Sequence, residues 1–190
     1  MFKQTLLLSS VALLLALSGC NENNKEKTTT KSHHKEISSN TITLSPIDTN
    51  STIEIKKTAN GFVLKNDPKK ILIFDIYATW CPPCRAEAKV LWDIQKKMQK
   101  DVVVIGLSIE ENITNKKLQA YKQKYQANYI LTNSPKNQEM IDEIAKNLKI
   151  GKRFPIPLVA LYKDGKLINF YSGATEEEFI LSDIKQAKGK

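Results

Sequence analysis

The chain has 190 residues, 41% hydrophobic and 26% charged, with 29 Lys and Arg against 20 Asp and Glu and a formal net charge of +9. No segment repeats, which excludes a solenoid or array, and about 150 residues remain once the N-terminal stretches are set aside, which suits one domain with its own core. The basic balance would fit nucleic acid or an anionic surface, and the opening residues argue against nucleic acid.

The chain begins MFKQTLLLSSVALLLALSGC. Lys3 supplies a positive start, and residues 6–17 are apolar apart from Ser9 and Ser10. The run is shorter than the about 20 residues of a membrane span and has the make-up of a secretory signal. An uncut N-terminal anchor is the competing reading. Leu17-Ser18-Gly19-Cys20 resembles the bacterial lipobox, which implies cleavage before Cys20 and lipid on its sulfur. Several acyl chains exceed the two signals that stable anchoring needs. Residues 1–19 are therefore expected to be a lipoprotein signal peptide. Residues 20–42 follow as a flexible tether, because residues 21–40 hold one aliphatic side chain, Ile37, and no aromatic, too little to offset the entropy of ordering. His33 and His34 in that arm read as a solvated pair rather than metal ligands. The Lys-rich stretches beyond it read as solvated faces, with a weak attraction to anionic lipid as the secondary reading.

The domain is expected over residues 43–190. Residues 51–57 alternate as a strand does, and 61–64 form a candidate second strand. Residues 69–78, KKILIFDIYA, are an apolar, β-branched run, as expected of a strand buried on both faces. Residues 82–100 carry Ala86, Val90, Leu91, Ile94 and Met98 at helical period. A second buried strand at 101–110, a helix at 113–125, a short strand at 128–132 and a helix at 137–148 follow. Residues 157–173 split into two strand-like halves around Lys163-Asp164-Gly165, a strong hairpin signal, and 176–187 close with a helix. The order implies an α/β fold, a mixed central sheet with helices on both faces.

Two of the three cysteines, Cys81 and Cys84, lie in FDIYATWCPPCRAE, residues 74–87. They fall just beyond the carboxyl end of a central strand and open the next helix, a favoured site position in open α/β sheets. Zinc would need about four ligands, and the domain offers no second Cys pair or His, so no metal is expected. A structural disulfide over so short a loop would constrain little. Redox chemistry is the favoured reading, and an inert disulfide is the alternative. Cys81 sits where free backbone N–H groups and the helix dipole favour a thiolate, and Cys84, one turn deeper, is the natural resolving thiol. Pro82 and Pro83 are tolerated in a first turn. Asp75, mid-strand and six residues before Cys81, would be a costly buried carboxylate with a raised pKa; a strand-end Asp facing solvent is the alternative. Glu87 reads as a solvated first-turn acid that complements the dipole.

ATWCPPCRAE resembles the active-site segment of the thioredoxin superfamily, and within it of the lipid- or membrane-anchored TlpA/ResA-like thiol–disulfide oxidoreductases. The resemblance runs from about residue 69 to the C-terminus, with a weaker N-terminal extension. It implies a thioredoxin-like fold and no cofactor. It also implies a cis-proline facing the Cys pair, for which Pro157 in IPLVALYKDG is favoured and Pro155 competes. The Ile156 backbone would pair with an extended substrate. Trp80, Pro82, Pro83, Ile156 and Pro157 are the substrate-binding set it suggests, with Tyr77 either beside the thiols or in the core. Asp75 would accept the Cys84 proton during resolution. TlpA-like proteins often carry Glu where Glu87 stands. Departures are Lys89 where many relatives have a helix-kinking proline, a proline-rich approach IGKRFPIP, and Leu158 in place of a common Thr.

The implied function is reduction of disulfides in exported proteins, such as the heme-attachment cysteines of an apocytochrome c, by a monomer anchored in the cell envelope. The expected place is the periplasmic side of the inner or outer membrane, or the outer face of a single membrane. Electrons would come from a transmembrane thiol-reducing partner of the DsbD/CcdA kind. Thiol oxidation or isomerisation of exported proteins is the alternative within the class, and a non-catalytic binding module the alternative outside it.

Overall fold

A computed structural model of the protein describes residues 40–189. The expected signal at 1–19, the lipidation site Cys20 and the first part of the tether lie outside the described residues.

Three short strands, β1 (Thr41–Leu44), β2 (Ile53–Lys57) and β3 (Phe62–Leu64), form an antiparallel sheet in that order. The expected tether ran to residue 42, but Thr41 and Ile42 belong to β1. The reason is period two: Ile42 and Leu44 point inward and are buried while Thr43 is exposed, so this segment has an apolar face to bury.

The larger sheet contains β4 (Ile71–Tyr77), β5 (Val102–Ser108), β6 (Ile130–Thr132), β7 (Leu158–Lys163) and β8 (Lys166–Ser172), in the order β6-β5-β4-β7-β8. Strands β5 and β6 run parallel to β4 and β7 runs antiparallel to it, the mixed sheet expected. The β7–β8 hairpin turns at Asp164 and Gly165, with φ of 51° and 73°. Two left-handed residues match the twist of the flanking strands, which is why Asp-Gly serves there.

Among the described residues four helices, α1 (Pro82–Lys97), α2 (Asn115–Tyr125), α3 (Asn137–Asn147) and α4 (Glu177–Lys188), cover the sheet. All seven residues of β4 are buried, and alternation divides them between two cores. Ile71, Ile73 and Tyr77 join Leu91 and Ile94 of α1, Leu118 and Tyr121 of α2, and Ile180 and Ile184 of α4. Leu72, Phe74 and Ile76 join Met140, Ile141 and Ile144 of α3 and the buried side chains of the three-stranded sheet. Each fully buried aliphatic side chain contributes about 1.5–3 kcal/mol. Asp75 takes the odd-numbered face, so the strand period alone directs it toward α1 and α2.

Among the described residues no helix is long and apolar enough to cross a membrane, and no group of three or more His, Cys, Asp or Glu could hold a metal ion.

Candidate active site

Helix α1 starts where it does because Cys81 is extended (φ −78°, ψ 114°) and the two prolines follow at the first helical positions, where a missing N–H removes no internal hydrogen bond. Cys81 is itself the N-cap: the Cys84 backbone N–H donates to its Sγ at 3.3 Å. Cys81 and Cys84 form a disulfide with their Cα atoms 5.3 Å apart. Both are buried, Cys84 fully. Trp80 is 59% exposed, and Pro82 and Pro83 are exposed as well, so these three form the outer rim of the pair. Tyr77 does not join them; it lies in the core, stacked on Tyr121 with ring centroids 5.0 Å apart.

The strand opposite completes the site. The Ile156–Pro157 peptide bond is cis, which selects Pro157 over Pro155. Cys81 Sγ lies 3.8 Å from the Ile156 carbonyl oxygen. Pro157 is buried and Ile156 is half-buried. The proline's carbonyl accepts from the Gly173 N–H at 2.8 Å, tying the approach to β7 to the end of β8. The sequence thus brings Cys81, Cys84, Trp80, Pro82, Pro83, Ile156 and Pro157 to one end of the sheet.

Asp75 is fully buried on the strand that leads to the pair. Tyr129 donates its phenol proton to Asp75 Oδ2 at 2.6 Å, and Oδ1 has no hydrogen-bond partner among the described residues. Burial pushes the Asp75 carboxyl up to about 7, against the Tyr129 hydrogen bond that lowers it and with the Glu87 charge raising it further. The solvent-facing alternative is therefore excluded.

Glu87 is not a solvated first-turn acid. It lies a turn deeper and is 1% exposed. Cys84, Glu87, Ala88, Leu91 and Ile94 are the buried residues of α1, a stripe at three- and four-residue spacing, and Glu87 falls inside it. The Thr175 backbone N–H donates to Glu87 Oε2 at 2.8 Å, while Oε1 is buried without a partner among the described residues. Burial raises its carboxyl to about 7, offset in part by the Thr175 hydrogen bond.

Other contributors are Arg85, next to Cys84, and two residues from farther along the chain, Tyr121 and Glu110. Tyr121 donates to the Cys84 carbonyl at 3.1 Å. Glu110 Oε2 accepts the Thr79 N–H at 2.6 Å and Arg85 Nε donates to the Thr79 carbonyl at 3.0 Å, so both backbone groups of the residue before Trp80 are held. Sequence reasoning missed Tyr121, Tyr129, Glu110 and Arg85. One signal was available: a buried carboxylate in an apolar strand requires a donor, but nothing local says which residue supplies it. Helix α1 runs unbroken from Pro82 to Lys97, in keeping with Lys89 in place of a proline.

A mixed sheet with a Cys-Pro-Pro-Cys disulfide at the N-terminus of the helix after its central strand, opposed by a cis-proline, defines a thioredoxin-like protein. The chain belongs to the Redoxin family, whose profile matches residues 46–188. It is 25% identical over 134 residues to a chloroplastic thioredoxin of Arabidopsis thaliana, covering 70% of this chain and 60% of that one. The chain spans 38% to 60% of the length of the first curated thioredoxins it matches. In fold it is similar to a putative thiol:disulfide interchange protein DsbE from Chlorobium tepidum, with a TM-score of 0.57, 16% identity and coverage of 77% of this chain and 92% of that one. It is likewise similar to the exposed lipoprotein thioredoxin of Streptococcus pneumoniae, with a TM-score of 0.55, 17% identity and coverage of 77% and 98%.

Proposed function

We propose that the protein is a thiol–disulfide oxidoreductase of the cell envelope that reduces disulfides in exported proteins. The observation that carries this is the Cys81–Cys84 disulfide next to an exposed Trp80 and beside the Ile156 carbonyl, with Asp75 a buried carboxyl raised to about 7 on the strand that leads to it. In the reduced protein, Cys81 as thiolate attacks a substrate disulfide. A Cys81–substrate disulfide forms and the first substrate sulfur leaves with the electron pair. The Cys84 thiol passes its proton to Asp75 and attacks Cys81 Sγ. This forms the Cys81–Cys84 disulfide and releases the second substrate thiolate, so the substrate gains two electrons and the protein loses two. Backbone groups at Ile156 hold the extended substrate, and Trp80, Pro82, Pro83 and Pro157 provide the apolar rim. Electrons return from a transmembrane thiol-reducing partner of the DsbD/CcdA kind. Lipid on Cys20 keeps the enzyme at the membrane as a monomer, a reading supported by the lipobox-like Leu17-Ser18-Gly19-Cys20. An apocytochrome c is the leading substrate class.

Insulin reduction with dithiothreitol as the donor tests the activity. The wild type should catalyse it and Cys81→Ala should not. Wild-type turnover no better than that of the Cys81→Ala protein would return the fold to a binding module. The reduction potential of the pair then assigns direction: a value near that of thioredoxin, about −270 mV, fits a reductase, and one near about −120 mV fits an oxidase.

A further inference from the structure

We propose that Tyr129 is a positioning residue for proton transfer from the buried thiol, holding Asp75 by Oδ2 so that Oδ1 is the oxygen that takes the Cys84 proton. This rests on the reading of Asp75 given above and adds what orients it.

The geometry is specific. Tyr129 lies just before β6, two strands away from β4 in the order β6-β5-β4, yet its phenol reaches Asp75 at 2.6 Å. The strand between has to let the ring through. The register partner of Asp75 on β5 is Gly106. A Cβ on Gly106 would stand 2.7 Å from Leu131 Cδ2, 3.1 Å from Tyr77 Cε1 and 3.2 Å from Tyr129 Cε2. A glycine inside a buried strand marks such a close approach. Here it clears the path by which the Tyr129 ring crosses β5. Tyr129 is itself 1% exposed. Burial and the nearby Asp75 charge hold its phenol proton well above the usual tyrosine range, so it remains a donor throughout the working pH range. A donor fixed on one carboxylate oxygen favours the ionised form and leaves the other oxygen to act as base.

The groups facing Asp75 are few. Glu87 faces it from α1 and raises its pKa. Tyr121 from α2 and Tyr77 from β4 itself interact with its charge, and both phenols are pushed up by burial first and by that charge second. Neither of these two donates to Asp75: Tyr121 is committed to the Cys84 carbonyl, and the Tyr77 hydroxyl is without a partner among the described residues. Tyr129 alone among the described residues gives the Asp75 carboxyl a hydrogen bond.

The test is a stopped-flow reaction of the reduced protein with a chromogenic aromatic disulfide from pH 5.5 to 9. The first released thiolate reports Cys81 attack and the second reports resolution by Cys84. In the wild type the second phase should rise with pH through an inflection near 7. In Tyr129→Phe that inflection should move up by about one pH unit, the displacement one charge-assisted hydrogen bond supports. The second phase should then be about threefold to tenfold slower below the inflection, converging on wild type above it, while the first phase is unchanged. Carboxyl ¹³C titration of the oxidised protein should show the same upward displacement for Asp75, independent of turnover. Asp75→Asn should abolish the inflection. An inflection and a carboxyl titration that stay in place in Tyr129→Phe, with Asp75→Asn still abolishing the inflection, overturn the role of Tyr129 alone. An inflection retained in Asp75→Asn overturns the reading of Asp75 and this inference with it.

Discussion

Asp75→Asn should make the protein more stable above neutral pH and should flatten its pH dependence. Asp75 is fully buried and its carboxyl is raised from the usual carboxylate range to about 7, chiefly by burial. An acid raised in the fold is fully accommodated below its unfolded pKa of about 3.9. Above that, the unfolded chain loses the proton first, and stability falls as pH rises toward 7, where the folded carboxyl also ionises. The loss is about 1.4 kcal/mol per pH unit at most and tapers near the folded pKa, so roughly 2 kcal/mol between about pH 5 and pH 7. Asn cannot ionise, and its amide oxygen can still accept from Tyr129 at 2.6 Å. Urea unfolding of the oxidised protein at pH 5, 6, 7 and 8 measures the difference between wild type and variant. Measuring both in a Glu87→Gln background removes the second raised carboxyl. The variant's advantage should grow by roughly 2–3 kcal/mol across that window and level off above it. A difference constant with pH would refute the reasoning, because it would mean that Asp75 titrates alike in the folded and unfolded chains.

Glu87→Gln should remove a similar but smaller pH slope, again a loss of stability in the wild type as pH rises toward about 7, read by the same unfolding series. Leu91→Ala, in the fully buried stripe of α1, should cost about 2–5 kcal/mol by leaving a cavity, read as a lower urea midpoint with little change in slope. In the reduced protein, iodoacetamide should modify Cys81 well before Cys84, since Cys84 is fully buried and Cys81 caps the helix; equal rates from pH 5 to 9 would count against the assigned roles. Cys84→Ala expressed in its own envelope should accumulate mixed disulfides through Cys81. These should appear as higher-mass bands that collapse on reduction and vanish when Cys81 is also replaced. Mass spectrometry should find a mature chain beginning at lipid-modified Cys20; retention of residues 1–19 would sink the anchoring proposal.

The parts of this fold legible in the sequence are those fixed by local pattern. The apolar run of residues 71–77, broken only by Asp75, declared a central strand, the Asp164-Gly165 pair declared the β7–β8 turn, and the two cysteines fell at the helix start, where prolines are tolerated. The three-stranded sheet was half-seen because β1 has only two inward positions, Ile42 and Leu44, at the end of a polar arm. Glu87 was misplaced for a different reason. The expected apolar face held Ala86 and Val90 with Leu91 and Ile94, whereas Ala86 is exposed, Val90 is half-buried, and the buried stripe completes Leu91 and Ile94 with Cys84, Glu87 and Ala88. Tyr129 was invisible because its role is a contact made 54 positions away from Asp75, through a gap whose only sequence trace is Gly106.

The arrangement also explains why two carboxyls are kept in a core that would be more stable without their charges. A thiol shielded as fully as Cys84 cannot lose its proton to solvent directly, so a base must be buried with it. Burial is what lifts such a base toward neutrality, where proton exchange in both directions is fast enough to serve a cycle that must also run in reverse when the pair is recharged. Under the proposed function Asp75 meets that need from the strand. Glu87 meets a second one: its Oε2 holds the Thr175 N–H, and Gly173 two residues earlier donates to the Pro157 carbonyl. The helix bearing the cysteines is thereby linked through one short loop to the segment that faces them. On this reading the hydrogen bond from Thr175 to the buried Glu87 helps fix the distance between Cys81 and the Ile156 backbone, and Glu87→Ala should loosen it. The expected consequence is weaker binding of a protein disulfide, seen as a raised KM for insulin, with the rate toward a small aromatic disulfide nearly unchanged. Equal losses toward both substrates would place Glu87 in the chemistry of the thiols instead.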